Sequence, residues 1–308
     1  EGARYRVYKV NLDFGSDDIE ATHDLSTATM KRCSKCGYAH LEQGTNLADV
    51  CDRCGAALDA PTRVDHLIHL QNVSLKLAKR ITCDEEERQR FGYKLVSCYR
   101  FPEIGGVLDR KDAEVYCDDI LVMHLSYGDA TDLYRINLGW AKQRQDAIGF
   151  NLDLERGYWS SNQADDQDQD DATTQTRLQR VVPYVKDTKN ALLIRLDTPR
   201  TKPEMASLQA ALKEAIQKHF QLEPRELFCE PMPDAENRQE LLFYEATEGG
   251  AGVLRQIAED PTAITSLARR ALEICHFDPV TLEDKGAENC GKACYECLLD
   301  YGNQFDHQ

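Results

Sequence analysis

Eight of the twelve cysteines of this chain stand in two groups whose spacing suits a metal ion. The first group is Cys33, Cys36, Cys51 and Cys54, read as C-x2-C-x14-C-x2-C, with Gly37 and Gly55 directly after each pair. Two residues between thiolates let one tight turn aim both sulfurs at one ion, and the glycine lets the backbone reverse without a Cβ clash. Two such knuckles predict a tetrahedral zinc site with four sulfur ligands and no open position, which makes its expected role structural. A redox C-x-x-C comes singly in a βαβ setting, and haem attachment needs a histidine where Gly37 stands. The second group is Cys275, Cys290, Cys294 and Cys297, read as C-x14-C-x3-C-x2-C. Cys275 is expected to end one helix and Cys294 and Cys297 to begin a last one, sharing a face with Leu298 and Tyr301, so that a second zinc ties two helices together. Cys83, Cys98, Cys117 and Cys229 stand alone in or beside strand-like runs and are expected to be small buried hydrophobes.

Other chemistry is sparse. Lys31, Arg32, Lys35 and Arg53 crowd the first cysteine group, where they either reach phosphates or offset the negative charge that four thiolates leave on Zn²⁺. Arg269 and Arg270 either join such a basic strip or form the solvated face of their helix. "YEATEGGAGVLRQI" puts Gly249, Gly250 and Gly252 between a strand and a helix, where phosphate loops occur, but it lacks the Lys-Ser/Thr of a Walker motif and the spacing of a dinucleotide fingerprint. Glu248 would repel a phosphate there. A tight turn is the expected use of these glycines, with an anion at the helix N-terminus as the alternative. No G-x-S-x-G and no H-E-x-x-H is present, and no catalytic constellation stands out among the eight histidines.

The elements that must position these residues fall in three segments. The chain has 308 residues, enough for two or three cores, with 42% hydrophobic residues and a formal charge of −16. Its mean hydropathy is −0.56, and no apolar run approaches the ~20 residues that span a bilayer, so no membrane role is indicated. The start, "EGARYRVYKV", lacks Met and a signal-like apolar stretch, so the sequence reads as a piece of a longer protein. Thiolates on metal suit a reducing cytoplasm better than a disulfide framework. The acidic balance confines any nucleic-acid site to a local patch.

Residues 1–62 are expected to form a strand and a zinc ribbon, and 63–200 a mainly β domain interrupted by a mobile acidic loop at 162–176, with five Asp in 165–171. Residues 201–308 are expected to form an α/β domain holding the second four-cysteine zinc site, which makes the chain α+β overall. In that last segment Thr201 and Glu204 have capping-box spacing, and Leu208, Leu212, Ala215, Ile216 and His219 form one stripe that places His219 in the core.

Residues 201–308 resemble the C-terminal zinc-binding domain of large bacterial superfamily 2 helicases of the MrfA kind. The resemblance rests on "SLQAALKEAI", "LLFYEATEGGAGVL" and the ending "CGKACYECLLDYGNQFDH" with Cys275 upstream. Helicase-associated subunits of phage-defence systems, such as the DrmB component of DISARM, are similar, and "RITCDEEERQRFGYKLVSCYRF" resembles a stretch of these large helicases. The turn departs from the commoner Pro-Gly-Gly form by having Glu248 before the glycines. The resemblance implies that Cys275, Cys290, Cys294 and Cys297 bind zinc and that the domain assists an ATP-driven DNA translocase. ATP is then used only by a motor domain outside this sequence, in cis or in trans. The expected function is an accessory region of a DNA helicase, in DNA repair or phage defence, that positions DNA for that motor. The alternative is a protein-interaction subunit of a helicase-containing defence complex, whose acidic surface binds a partner.

Overall fold

The computed structural model describes residues 2–10, 27–42, 48–59, 62–70, 73–81, 92–140, 148–159, 177–247, 250–286 and 290–300, with 303 and 306 of the tail. The acidic loop, Cys83, Glu248 and Tyr301 lie outside the described residues. Two long strands make the spine: β10 (Ile120–Trp140) and β12 (Leu178–Leu196) pair antiparallel from Met123↔Leu196 to Ile136↔Tyr184. "ILVMHLSYG" and "DLYRINLGW" read as two strands because Gly128 and Asp129 separate them, yet they join into one through a bulge between Gly128 and Thr131.

Each spine strand divides its outer edge between partners. β10 takes β6 (Tyr93–Arg100) along one half and β9 (Lys111–Cys117) along the other. β12 takes β11 (Phe150–Asp153) and, in parallel, β4 (Arg63–His69) at its start, then β14 (Glu240–Glu245) at its end. β14 carries β13 (Leu227–Met232), while β4 carries β2 (Ala28–Arg32), which pairs with β3 (Ala39–Leu41). Among the described residues these form one ten-stranded sheet that runs through all three expected segments. A separate ribbon pairs β1 (Gly2–Val10) with β5 (Val73–Ile81), and β7 (Glu103–Ile104) with β8 (Val107–Leu108) makes a small hairpin.

Because side chains alternate across a strand, β12 and β14 serve two cores at once. Leu192, Ile194, Leu241 and Phe243 face one way, onto helices α1 (Lys202–Phe220), α2 (Val253–Glu259) and α3 (Ala263–Ile274). Ala191, Leu193, Leu242 and Tyr244 face the other way, onto Cys33, Cys36, Cys51, Tyr38 and Tyr99. Buried on both faces, β14 shows no alternation in its sequence, "ELLFYE".

The α1 start is capped as its spacing predicts: the Glu204 carboxylate accepts the Thr201 N–H at 2.8 Å. Leu212, Ala215 and Ile216 are buried, but His219 is exposed, against expectation. In the last turn the inward positions pass to Gln217, whose amide donates to Pro224 O at 3.3 Å, and to Phe220 and Leu222. Cys98 is buried and Cys229 packs half-buried on the helix-side core, whereas Cys117, at the turn into β10, is exposed. No described helix is long and apolar enough to cross a membrane.

Gly128 lies under Phe101, where an added Cβ would stand 2.5 Å from the ring and 2.5 Å from Thr131 Oγ1. Gly128→Ala should therefore lower the stability of the metal-loaded chain by about 1–3 kcal/mol, read as a fall in the urea midpoint at unchanged slope.

Candidate metal centres

The first centre is built by the β2–β3 hairpin and the segment after it. Both knuckles use the same local bonds. The Gly37 N–H donates to Cys33 O at 2.9 Å and the Gly55 N–H to Cys51 O at 2.8 Å, while Cys33 N bonds Tyr38 O and Cys51 N bonds Ala56 O. Gly37 (φ +74) and Gly55 (φ +70) take the left-handed conformation that the reversal demands. The four sulfurs lie within 4.8 Å of one another, with Cys33–Cys54 and Cys36–Cys51 each 3.6 Å apart. Tetrahedral Zn–S bonds of about 2.3 Å put sulfurs roughly 3.8 Å apart, whereas a disulfide needs about 2.05 Å. The donors therefore fit zinc and not a cross-link. The bond from Cys36, aided by His40, brings the Cys51 thiol down to about 3, and the same contact pushes the Cys36 thiol up. Around the sulfurs, Tyr38 Oη, Tyr99 Oη and Arg53 Nε are buried without a hydrogen-bond partner among the described residues.

Three of the four basic residues beside this centre, Lys31, Arg32 and Arg53, face inward. Lys31 Nζ donates to Ala48 O at 2.8 Å and pairs with Asp49 at 3.2 Å. Arg32 bonds Ser97 O at 3.1 Å and Pro233 O. Arg53 makes two parallel bonds to Glu240 on β14, at 2.6 and 2.7 Å, with both side chains buried. Lys35 is exposed, as are Arg269 and Arg270 on α3, the last paired with Glu273 at 2.9 Å. The structure thus brings Lys31, Arg32 and Arg53 together as internal braces, away from Arg269 and Arg270.

At the second centre the structure corrects two expectations. The described residues after Cys290 form turns, not a last helix. Cys294 and Cys297 bracket a knuckle of their own: the Cys297 N–H donates to Cys294 O at 3.1 Å and the Cys294 N–H to Cys297 Sγ at 3.1 Å. The fourth donor beside Cys290, Cys294 and Cys297 is His276, and Cys275 is outside the group. The cause is the way α3 ends. Cys275 is its C-cap, the Phe277 N–H bonds back to Leu272 O and the His276 N–H to Glu273 O, and His276 takes φ +67. This is the double-bonded helix end whose left-handed position ordinarily holds glycine. Here it turns the imidazole onto the cysteines, with Nε2 3.3 Å from Cys294 Sγ.

Cys290–Cys297 and Cys294–Cys297 are 3.8 and 3.5 Å apart, again the spacing of tetrahedral ligands. The bond from His276 brings the Cys294 thiol down to about 7, while burial first, then Cys297 and Cys294, push the Cys275 thiol up to about 11. Cys297 belongs to the helix-side core with Leu267 and Ile274, so this centre and the first lie on opposite faces of the sheet. The tail is tied down by Arg238, which bonds Gln209 on α1 at 2.6 Å and Asp306.

The glycine turn is closed by the chain's own carboxylate. Buried Glu245 accepts the N–H groups of Val253 at 2.7 Å and Leu254 at 3.2 Å through Oε1, and the Asn190 amide at 3.3 Å through Oε2. A Cβ on Gly250 (φ +56) would stand 1.6 Å from Oε2. The anion that this helix start attracts is Glu245, three residues before the Glu248 that was expected to repel a phosphate there. The spacing rules also passed over His276, although a histidine directly after a helix-ending cysteine was the available signal.

Residues 208–298 match the family model of the MrfA Zn-binding domain, a span that holds the second centre and leaves out the first. No curated protein sequence matches the chain. Among solved structures it is similar to a DUF1998 helicase MrfA bound to DNA, at 9% identity and a TM-score of 0.37, over 75% of this chain and 25% of that one. The chain therefore spans about a quarter of that helicase's length.

Metal analysis of the purified chain should give two zinc ions, falling to one in Cys36→Ser and to one in Cys297→Ser. Cys275→Ser should keep both, and His276→Ala should lose the second. Two zinc ions in His276→Ala, or one in Cys275→Ser, would return the fourth position to Cys275.

Proposed function

We propose that this chain, which carries an MrfA-type zinc-binding region over residues 208–298, is an accessory region of an ATP-dependent DNA helicase or translocase. The observation that carries the reading is the second centre. It is a closed four-donor site inside that region, with one ligand, Cys297, in the core that the three helices share with the sheet. Zinc held there by His276, Cys290, Cys294 and Cys297 supplies cross-linking and charge, not a reactive position. The chain's own residues do the rest. The two cores fix the sheet, and of the six candidate cations Lys35, Arg269 and Arg270 are exposed and can meet phosphates. Such contacts position DNA without reading its sequence, and nucleotide turnover belongs to the motor that the region serves. Function in the cytoplasm, in repair or in phage defence, belongs to the same reading.

One observation favours the second reading, a subunit that binds protein within a helicase-containing defence complex. Most cations near the first centre are already paired internally, on a chain of formal charge −16.

Filter binding of short single- and double-stranded DNA separates the two. The first reading expects binding at low salt that weakens as salt rises, by about 0.9 log units per log unit of salt for each phosphate contact. Lys35→Ala with Arg269→Ala should then shrink the slope by roughly two contacts. Absence of binding at low salt, or binding without a salt slope, would leave the protein-interaction reading standing.

A further inference from the structure

A cavity of about 200 Å³ opens where β6, β10 and β12 meet β13 and β14, with Met232, Leu242 and Tyr244 of its lining shared with the core around the first metal centre. That is below the roughly 300 Å³ of sites for drug-sized molecules, so it admits one ring system and not a whole nucleotide. Its wall is an aromatic stack: the rings of Phe228 and Tyr244 lie 5.5 Å apart at 17°. Tyr244 is buried, and the guanidinium of Arg135 lies over its ring at 5.9 Å, while Phe228 is 37% exposed. Phe228 therefore keeps surface for a further ring to stack on.

The rim carries charge that cancels. Arg135 pairs with Glu230 at 2.7 Å, and Lys189 pairs with Asp187 at 3.1 Å. A phosphate entering here would meet two carboxylates, and a cation two bases. A neutral planar ring with donors and acceptors on its edge meets neither penalty. Glu230 uses Oε1 for both Arg135 and the Tyr244 hydroxyl, so among the described residues its Oε2 takes no bond and is left to accept from a ligand amine.

We propose that this cavity receives a single unpaired nucleobase, stacked on Phe228 with an exocyclic amine donating to Glu230. The idea of a strand supplying that base rests on the DNA-binding reading above; a free nucleoside is the other source of the same chemistry. Stacking of a base on an aromatic side chain is worth enough that its removal costs roughly tenfold or more in affinity.

The test uses the zinc-loaded full chain and three probes: a short single-stranded oligonucleotide, the same strand lacking all its bases, and free guanosine, adenosine and cytidine. Binding of the intact strand should weaken about tenfold or more in Phe228→Ala and be restored in Phe228→Trp, with the baseless strand unaffected by either. Equal effects on both strands, or none on the intact strand, would overturn the proposal while leaving DNA binding intact. If neither strand binds, the DNA reading fails, and the nucleosides decide the cavity. Nuclear magnetic resonance shifts at Phe228 and Tyr244 on adding nucleoside would support it, and unshifted resonances would overturn it.

Discussion

The pairing of β12 with β14, from Ala191↔Tyr244 to Arg195↔Glu240, is the contact on which the rest of the structure depends. Its alternate residues wall two separate cores, one centred on the first cysteine group and one on the helices and Cys297. Neither strand can shift toward one core without withdrawing side chains from the other, because close-packed interiors tolerate little change in volume. The first metal centre is bound to this wall by Arg53, whose buried bidentate pair with Glu240 sits at the start of β14. Losing one member of such a pair strands the other charge, at a cost of about 3–5 kcal/mol. Gly37 adds a contact from the same side, since a Cβ there would stand 2.8 Å from Met232 Sδ on β13.

The sequence made the first centre legible down to its glycines, because C-x2-C followed by Gly is a local instruction: the turn, the sulfur positions and the positive φ at Gly37 and Gly55 follow from five consecutive residues each time. The second centre was legible as a metal site but not in its ligands. Cys275 and His276 are adjacent, and which one faces Cys294 depends on the left-handed ending of α3, which spacing does not encode. The same limit explains why the described residues after Cys290 form turns, where the Cys294 N–H bonds Cys297 Sγ and the Cys297 N–H bonds Cys294 O. Strand existence was readable from hydrophobic runs, whereas the fusion of two runs into β10 needed the bulge at Gly128.

The basic residues show why composition alone could not locate a binding surface. Lys31, Arg32 and Arg53 cluster in sequence and so suggested a strip for phosphates, but each finds an acceptor within the chain: Ala48 O, Pro233 O and Glu240. Glu245 does the same for the glycine turn, turning an apparent anion site into an internal cap. The chain spends much of its charge on holding itself together.

The two metal centres brace one shared pair of strands. Hydrogen exchange of the β14 amides, Leu241 to Tyr244, in the zinc-loaded chain and in Cys36→Ser with the second zinc retained, tests it most directly. Loss of the first metal should lower protection along β14 and β13 as well as at the knuckles, because Arg53 and Met232 lose their anchorage together. Exchange that rises only at residues 33–56, with β14 as protected as before, would contradict it.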